Sequence, residues 1–228
     1  MLYDFHTHTS LSDGVLPPMD LIRYALVNGY KAIALTDHAG DGSLDRIIQE
    51  TADACALARS HWDILAIPGI ELTHVPAQAI AEIAKKAKQL GAYIVVVHGE
   101  TITEPVEKGT NLAALQSPHV DILAHPGLLS LEEAKLAAKN GIFLEISARK
   151  GHCLTNGYIA HLAQQVGAKL LLSSDAHDKQ DLLTAPFADS IMRGTGLDAT
   201  TCHRVLTINP QALLKHLPSN YHGGHLSK

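Results

Sequence analysis

Short aliphatic runs alternate along this chain with longer stretches in which apolar residues recur every three or four positions. The runs are LYDF (2–5), KAIAL (31–35), ILAI (64–67), AYIVVV (92–97), VDILA (120–124), IFLEI (142–146) and KLLLS (169–173). Each has the length of a strand and is apolar enough to be covered on both faces. Between them lie helical patterns such as PPMDLIRYALVNG from Pro17, QAIAEIAKKAKQLG from Gln78, SLEEAKLAAKNG from Ser130 and GYIAHLAQQVG from Gly157. Strand-then-helix alternation of this kind predicts parallel βα units. Gly29, Gly91, Gly141 and Gly167 each stand where a helix should stop and a strand begin, a place suited to a left-handed residue. Ser130 followed by Glu133 has the spacing of a capping box. No Pro- or Ser-rich linker separates the units. The expectation is therefore one α/β barrel domain over residues 1–217, closed or nearly closed, with terminal helices after Pro186 and a flexible tail at 218–228.

Composition narrows the function classes. The 228 residues are 46% hydrophobic, 18% charged and 4% aromatic, the balance of a globular enzyme with aliphatic strands. A formal net charge of -5 with scattered Lys and Arg lacks the basic footprint of a dedicated nucleic-acid binder. Cys55, Cys153 and Cys202 are odd in number and far apart, as expected of reduced thiols. No leader pattern or membrane-length apolar run stands out, so a cytoplasmic protein with no membrane partner is expected.

Fifteen histidines change the picture. His6 and His8 lie two apart at the end of the first predicted strand, a spacing that aims two imidazoles to one side. Asp37 and His38 end the second strand, Glu71 follows the third, His98 ends the fourth, His125 the fifth, and Asp175 and His177 the seventh. In an α/β barrel the C-terminal ends of the strands converge on one mouth, where these side chains would meet. Imidazoles and carboxylates without cysteine suit Zn, Mn or Fe, and their number fits two to three divalent ions.

The motifs HTHTSLSDG (His6, His8, Asp13), TDH (His38), PGIE (Glu71), VVVHGE (His98), ILAHPG (His125) and SSDAH (Asp175, His177) resemble those of the PHP (polymerase and histidinol phosphatase) family of metal-dependent phosphoesterases. The resemblance runs from residue 1 to about 180. It implies a distorted seven-stranded (β/α)7 barrel, TIM-barrel-like, with a trinuclear metal site at the C-terminal ends of the strands. It further implies one ion on His6, His8, Glu71 and Asp175, a second on Glu71, His98 and His125, and a third on Asp13, His38 and His177, with Glu71 as the bridge.

Such a centre would hydrolyse phosphoesters, using hydroxide generated from water between the ions. The short chain and absence of aromatic stacking stripes favour a small phosphomonoester, histidinol phosphate among them, over nucleic acid. The alternatives are a phosphodiesterase or 3′-5′ exonuclease or nucleotide phosphatase, and a metal-binding scaffold without catalysis. A carbamate-dependent amidohydrolase ranks lower, because no lysine ends a strand, although Lys150 comes near.

Arg149, in EISARKGH after the sixth strand, is expected to clamp phosphate with its fork of donors. His74 and His152 are candidates for proton donation to the leaving oxygen. Asp37 should face away from His38 and orient a neighbour, and Glu145 faces in or out according to strand register. His61, His119, His161, His203 and His216 are expected at the surface or in packing, and His222 and His225 in the tail.

Overall fold

The computed structural model describes residues 1–217; the expected tail, with His222 and His225, lies outside the described residues. Its strands are β1 (Leu2–Asp4), β2 (Tyr30–Leu35), β3 (His38–Ala39), β4 (Leu65–Leu72), β5 (Ile94–His98), β6 (Ile122–Ala124), β7 (Phe143–Ser147) and β8 (Leu170–Ser173). They run in parallel in the order β1-β2-β4-β5-β6-β7-β8, with β3 on β4. The two-residue β3 resumes the second strand after a break at Thr36 and Asp37. Leu35 pairs with Pro68 before the break and His38 pairs with Glu71 after it, so the register is unchanged. The result is a nearly closed barrel of seven parallel strands.

The first and last strands meet just beyond their ends. Asp175 N donates to His6 O at 2.9 Å and His8 N to Ala176 O at 2.8 Å. The buried Asp4 carboxylate ties the same seam, accepting from Ser174 N at 3.0 Å. Closure therefore runs through HTH and SDAH themselves.

The crossovers are α1 (Pro18–Val27), α2 (Leu44–His61), α3 (Ile80–Leu90), α4 (Thr110–Gln116), α5 (Leu131–Asn140) and α6 (Asn156–Val166). The four helical patterns read from the sequence fall on α1, α3, α5 and α6, and the capping box of Ser130 and Glu133 opens α5. Gly29, Gly91, Gly141 and Gly167 all have positive φ. The terminal helices are α7 (Ala185–Gly194), α8 (Ala199–His203) and α9 (Asn209–Leu214), a π-helical turn at Arg204–Ile208 joining the last two. Among the described residues no helix is long and apolar enough to cross a membrane.

One expectation shifts. The third aliphatic run, 64–67, extends through Pro68 and Gly69 to Leu72. Pro68 has no N–H to offer, but its carbonyl accepts from Tyr93 N at 2.9 Å. At Gly69 a Cβ would lie 2.8 Å from both the Ile94 carbonyl oxygen and Thr36 Cγ2. At Gly69 the strand is thus pressed too closely by its neighbours for a side chain.

Two apolar layers result. Leu21, Ile22, Ile47, Ile48, Ala84 and Ile159 pack the helices onto the barrel wall. Inside, Phe5, Ala32, Ile67, Ile94, Val96, Ile122, Phe143 and Leu171 fill the lower barrel, with Leu213 and Leu214 of α9 and Leu217 in the same cluster. The end carrying α9 is thus plugged by hydrocarbon, and the polar residues occupy the opposite mouth.

Candidate metal centre

Period-two alternation on the strands explains how a greasy interior becomes a polar mouth. Ile67, Gly69 and Glu71 share one face of β4, as do Ile94, Val96 and His98 on β5, and Phe143 and Glu145 on β7. Leu171 and Ser173 on β8 continue to Asp175. Each set begins with residues of the inner apolar cluster and ends in a buried polar group. Beyond the strand ends the backbone also takes unusual conformations, and at His125, which follows the inward-facing Ala124, alternation alone would misdirect the side chain. His74 (φ 52), His125 (φ 24) and Asp175 (φ 53) are the positive-φ non-glycine residues of the described chain, and all three border this mouth. Such conformations persist where surrounding structure enforces them, commonly at functional sites.

Glu71 is the hub. Its Oε1 lies 3.2 Å from His6 Nε2, 3.3 Å from His98 Nδ1 and 3.6 Å from His125 Nε2. Its Oε2 lies 2.5 Å from His38 Nδ1 and 3.7 Å from His8 Nε2. One buried carboxylate thus faces five imidazoles. Asp175 Oδ1 sits 3.2 Å from His8 Nε2 and 3.8 Å from His6 Nε2, while Oδ2 is 3.9 Å from His125 Nε2. At the rim, Asp13 Oδ1 faces His177 Nε2 at 3.2 Å, His38 Nε2 at 3.6 Å and His8 Nδ1 at 4.0 Å. All nine residues proposed from the sequence come together.

The electrostatics follow from this crowding. Burial disfavours a charged His6, yet the Glu145, Glu71 and Asp175 carboxylates outweigh it and hold the ring well above the usual imidazole value. His38 and His98 are also raised, Glu71 overcoming their burial. Burial instead takes His8 down to about 4, the His38 charge adding to the effect. Against burial, His6 and His38 keep Glu71 well below the carboxylate range. Asp175 is lowered by His6 and His8, and Asp13 by His177, His38 and His8, again against burial.

Supporting residues fix the ligand-type side chains. Glu145 faces inward, its Oε1 2.7 Å from His6 Nδ1 and its Oε2 accepting from His125 N at 2.9 Å. Asp37 is buried away from the cluster. Its Oδ1 accepts from Thr9 N at 2.7 Å and Ser12 Oγ at 2.6 Å, and its Oδ2 from Thr9 Oγ1 at 2.8 Å, which pins the loop leading to Asp13.

A cavity of about 470 Å³ opens over the mouth, lined among others by Asp13, His38, His74, His98, Arg149, Asp175 and His177. Arg149 Nη1 donates to Asp175 O at 3.1 Å and lies 2.8 Å from His177 Nδ1. The guanidinium is therefore fastened at the site's edge. Lys150 is exposed and lines a neighbouring hollow instead. His74 is exposed, its ring 5.8 Å from that of His98. His152 is buried, and burial with the nearby His125 takes it down to about 4.

Sequence reasoning passed over Glu104, which no pattern marks within HGETITEPVE. Its Oε2 lies 3.0 Å from His98 Nε2 and its Oε1 3.4 Å from His152 Nε2. Only the path of the loop after β5 brings it there.

The fit to cations rests on the donors themselves. Of the nine buried side-chain nitrogen and oxygen atoms without a hydrogen-bond partner among the described residues, seven are His6 Nε2, both ring nitrogens of His8 and His98, Glu71 Oε1 and His125 Nδ1. Buried polar groups are ordinarily satisfied, so their concentration at one point is what a metal-binding cage requires. Five groups of ligand atoms lie close enough to hold an ion: His8/Asp13/His38/His177, His6/Glu71/His125, His6/His8/Asp175, His38/Glu71/His98 and His125/His152/Asp175. The first contains the expected third set whole, with His8 added. Two of the others divide the expected first and second sets differently, one draws in His38 and one His152, because Glu71 and Asp175 each serve several imidazoles.

A nearly closed parallel barrel with a histidine- and carboxylate-lined mouth defines a class of α/β proteins whose chemistry lies at the strand ends. Within it, the chain belongs to the PHP domain family, whose model matches residues 4–124. A protein of Methanocaldococcus jannaschii, itself uncharacterized, is 47% identical over 95% of this chain and all (100%) of its own length. A Shewanella pealeana protein named a probable phosphatase is 30% identical, covering 97% of this chain and 94% of its own. Among solved structures, a chain of archaeal ribonuclease P with mature tRNA superposes with a TM-score of 0.63 at 15% identity, over 93% of this chain and 87% of that one. That likeness is one of fold.

Proposed function

We propose that this protein is a metal-dependent phosphoesterase acting on a small phosphomonoester, with histidinol phosphate as the first substrate to try. In this reading His6, His8, Glu71 and Asp175 hold one ion, Glu71, His98 and His125 a second, and Asp13, His38 and His177 a third. The observation that carries it is Glu71, a fully buried carboxylate with imidazoles on both oxygens. A carboxylate buried this deeply is costly unless positive charge shares it, and divalent ions among these imidazoles would supply that charge. The family and the Shewanella relative's name support phosphoester hydrolysis.

Divalent ions at these residues would acidify water and neutralise phosphoryl charge. The chain's own groups do the rest. Arg149, already oriented by the Asp175 carbonyl, offers remaining guanidinium donors to a phosphoryl oxygen as charge builds. His74, exposed on the cavity wall, is placed to pass a proton to the leaving oxygen. Glu145 and Asp37 hold His6 and the Asp13 loop in position. Among the described residues lining the cavity there is no lysine, which weighs against a carbamate-dependent amidohydrolase.

Phosphate release from a panel of monoesters, by protein reconstituted with Zn, Mn or Fe, tests this directly. Turnover of small monoesters that is abolished by chelator is expected. Shortening of oligonucleotides with the monoesters untouched would transfer the reading to a 3′-5′ exonuclease. No turnover of any ester by the fully loaded protein would leave a binding scaffold.

A further inference from the structure

His152 stands on the turn after β7, outside the nine residues that the family resemblance marks. Its side chain is 4% exposed. Nδ1 is committed to the loop after β5, lying 2.8 Å from Thr101 Oγ1 and 3.4 Å from Thr103 Oγ1. The ring stacks on His125 with centroids 4.0 Å apart and planes at 18°. That leaves Nε2 facing Asp175 Oδ2 at 3.9 Å and Glu104 Oε1 at 3.4 Å. If Nδ1 donates its proton to Thr101, the Nε2 lone pair points at two carboxylates. Three electron-pair donors then converge on the cavity wall, an arrangement that a cation resolves.

The loop bringing these groups in is held close by design of its backbone. A Cβ on Gly127 would overlap the Glu100 carbonyl oxygen, so only glycine lets the two loops touch. Glu100 Oε1 accepts from Gly109 N at 2.9 Å and Asn111 N at 3.0 Å, which fixes the far end of the loop. Thr101, Thr103 and Glu104 are thereby presented together to His152. A hydrogen bond from the distal ring nitrogen is the usual way a protein orients a metal-ligating histidine.

We propose that the metal centre of this protein is larger than nine residues, with His152 Nε2 and a Glu104 oxygen as ligands to the ion assigned to Glu71, His98 and His125, toward which Asp175 Oδ2 also faces. The inference rests on the reading that divalent ions bind at this mouth. It assigns Glu104, 43% exposed, to the open side of that ion, where an incoming phosphate would take its place.

The test is metal binding, which needs no substrate. Apoprotein prepared by chelation is titrated with Zn2+ in competition with a chromophoric chelator, and with Co2+ while the visible absorption is followed. Variants are His152→Ala, His152→Gln and Glu104→Gln, with His161→Ala as an exposed control and circular dichroism as a check of folding. Expected for both His152 variants are a loss in affinity for one ion exceeding the roughly 10- to 100-fold that removal of an outer-shell partner costs, and a changed Co2+ spectrum. Glu104→Gln should lose less, and His161→Ala nothing. Free imidazole should restore the spectrum of His152→Ala, because an added ligand can replace a missing one but cannot repair packing. Affinities within twofold of the parent and superimposable spectra in both His152 variants overturn the proposal. Failure of the functional reading looks different: ions bound as described, His152 dependence intact, and no ester cleaved.

Discussion

At the residue scale, two side chains separate holding the ions from handling the substrate. Glu71 meets imidazoles through both oxygens, so Glu71→Gln removes the charge that several donors share while preserving shape. We expect its kcat/KM to fall at least about a thousandfold, or about 4 kcal/mol, together with its metal content. His216→Ala, at an exposed position on the far end of the chain, should match the parent in both. Equal effects in the two variants would refute the map of the mouth. Arg149 lies at the edge and its loss should spare the ions. Arg149→Ala is expected to retain full metal content and to cost about 2–4 kcal/mol of transition-state stabilisation. Arg149→Lys should recover part of this, since an ammonium keeps the charge without the fork. Steady-state kinetics beside elemental analysis decides it, and kcat/KM within twofold of the parent for Arg149→Ala would return Arg149 to a structural role at Asp175.

At the scale of elements, β4 carries the load. It pairs with β2, β3 and β5 and delivers Glu71, so an error in its path is an error in the hub. Gly69→Ala puts a methyl 2.8 Å from the Ile94 carbonyl oxygen, and a backbone atom cannot swing aside as a side chain can. A destabilisation of about 1–3 kcal/mol is expected from overpacking, read from the urea midpoint, with metal affinity lost in parallel as Glu71 shifts. At the other end of the barrel, Leu213 belongs to the inner apolar cluster. Leu213→Ala should cost about 2–5 kcal/mol, yet leave kcat/KM of the folded fraction unchanged, because its contacts lie away from the mouth. Activity falling with stability in this variant would show that the plug and the mouth are coupled.

At the scale of the whole molecule, the charge balance of the mouth makes stability depend on pH with opposite signs in the two forms of the protein. In apoprotein prepared by chelation, His6, His38 and His98 have raised pKa values, so their favourable pairing with carboxylates is fully present below the ordinary imidazole value of 6.5 and fades as pH rises above it. His8 and His152, lowered to about 4, act the other way. The unfolded chain protonates them first, and stability falls as pH drops below 6.5. The apoprotein should therefore be most stable near pH 6.5, with the midpoint of thermal unfolding declining on either side. Ions compete with protons for the raised imidazoles, so the loaded protein should instead gain stability from pH 6.5 to 8 and release protons on metal uptake. Calorimetric titration in buffers of different ionisation enthalpy counts those protons. No release at neutral pH would contradict the assignment of His6, His38 and His98 as ligands.

Sequence by itself determined what is periodic and local. Alternating runs marked the barrel, glycines and a capping box marked the helix ends, and imidazoles and carboxylates stood where strands finish. These features depend on neighbours a few positions away, which is the range over which chain geometry alone fixes direction. The path of β4 through Pro68 and Gly69 escaped that reading, since a strand tolerates them only when its neighbours crowd one and hydrogen-bond the carbonyl of the other. The inward turn of Glu145 depended on register against β6 and β8. The positive-φ backbone at His125 and Asp175 was invisible because its enforcement comes from contacts across the barrel. The joining of β1 to β8 spans some 170 residues, from His6 to Asp175, and the meeting of Glu104 with His98 and His152 depends on a loop clasped by Gly127. Tertiary structure alone decided these, because convergence of distant segments is set by packing and closure of the whole barrel, and no local pattern encodes it.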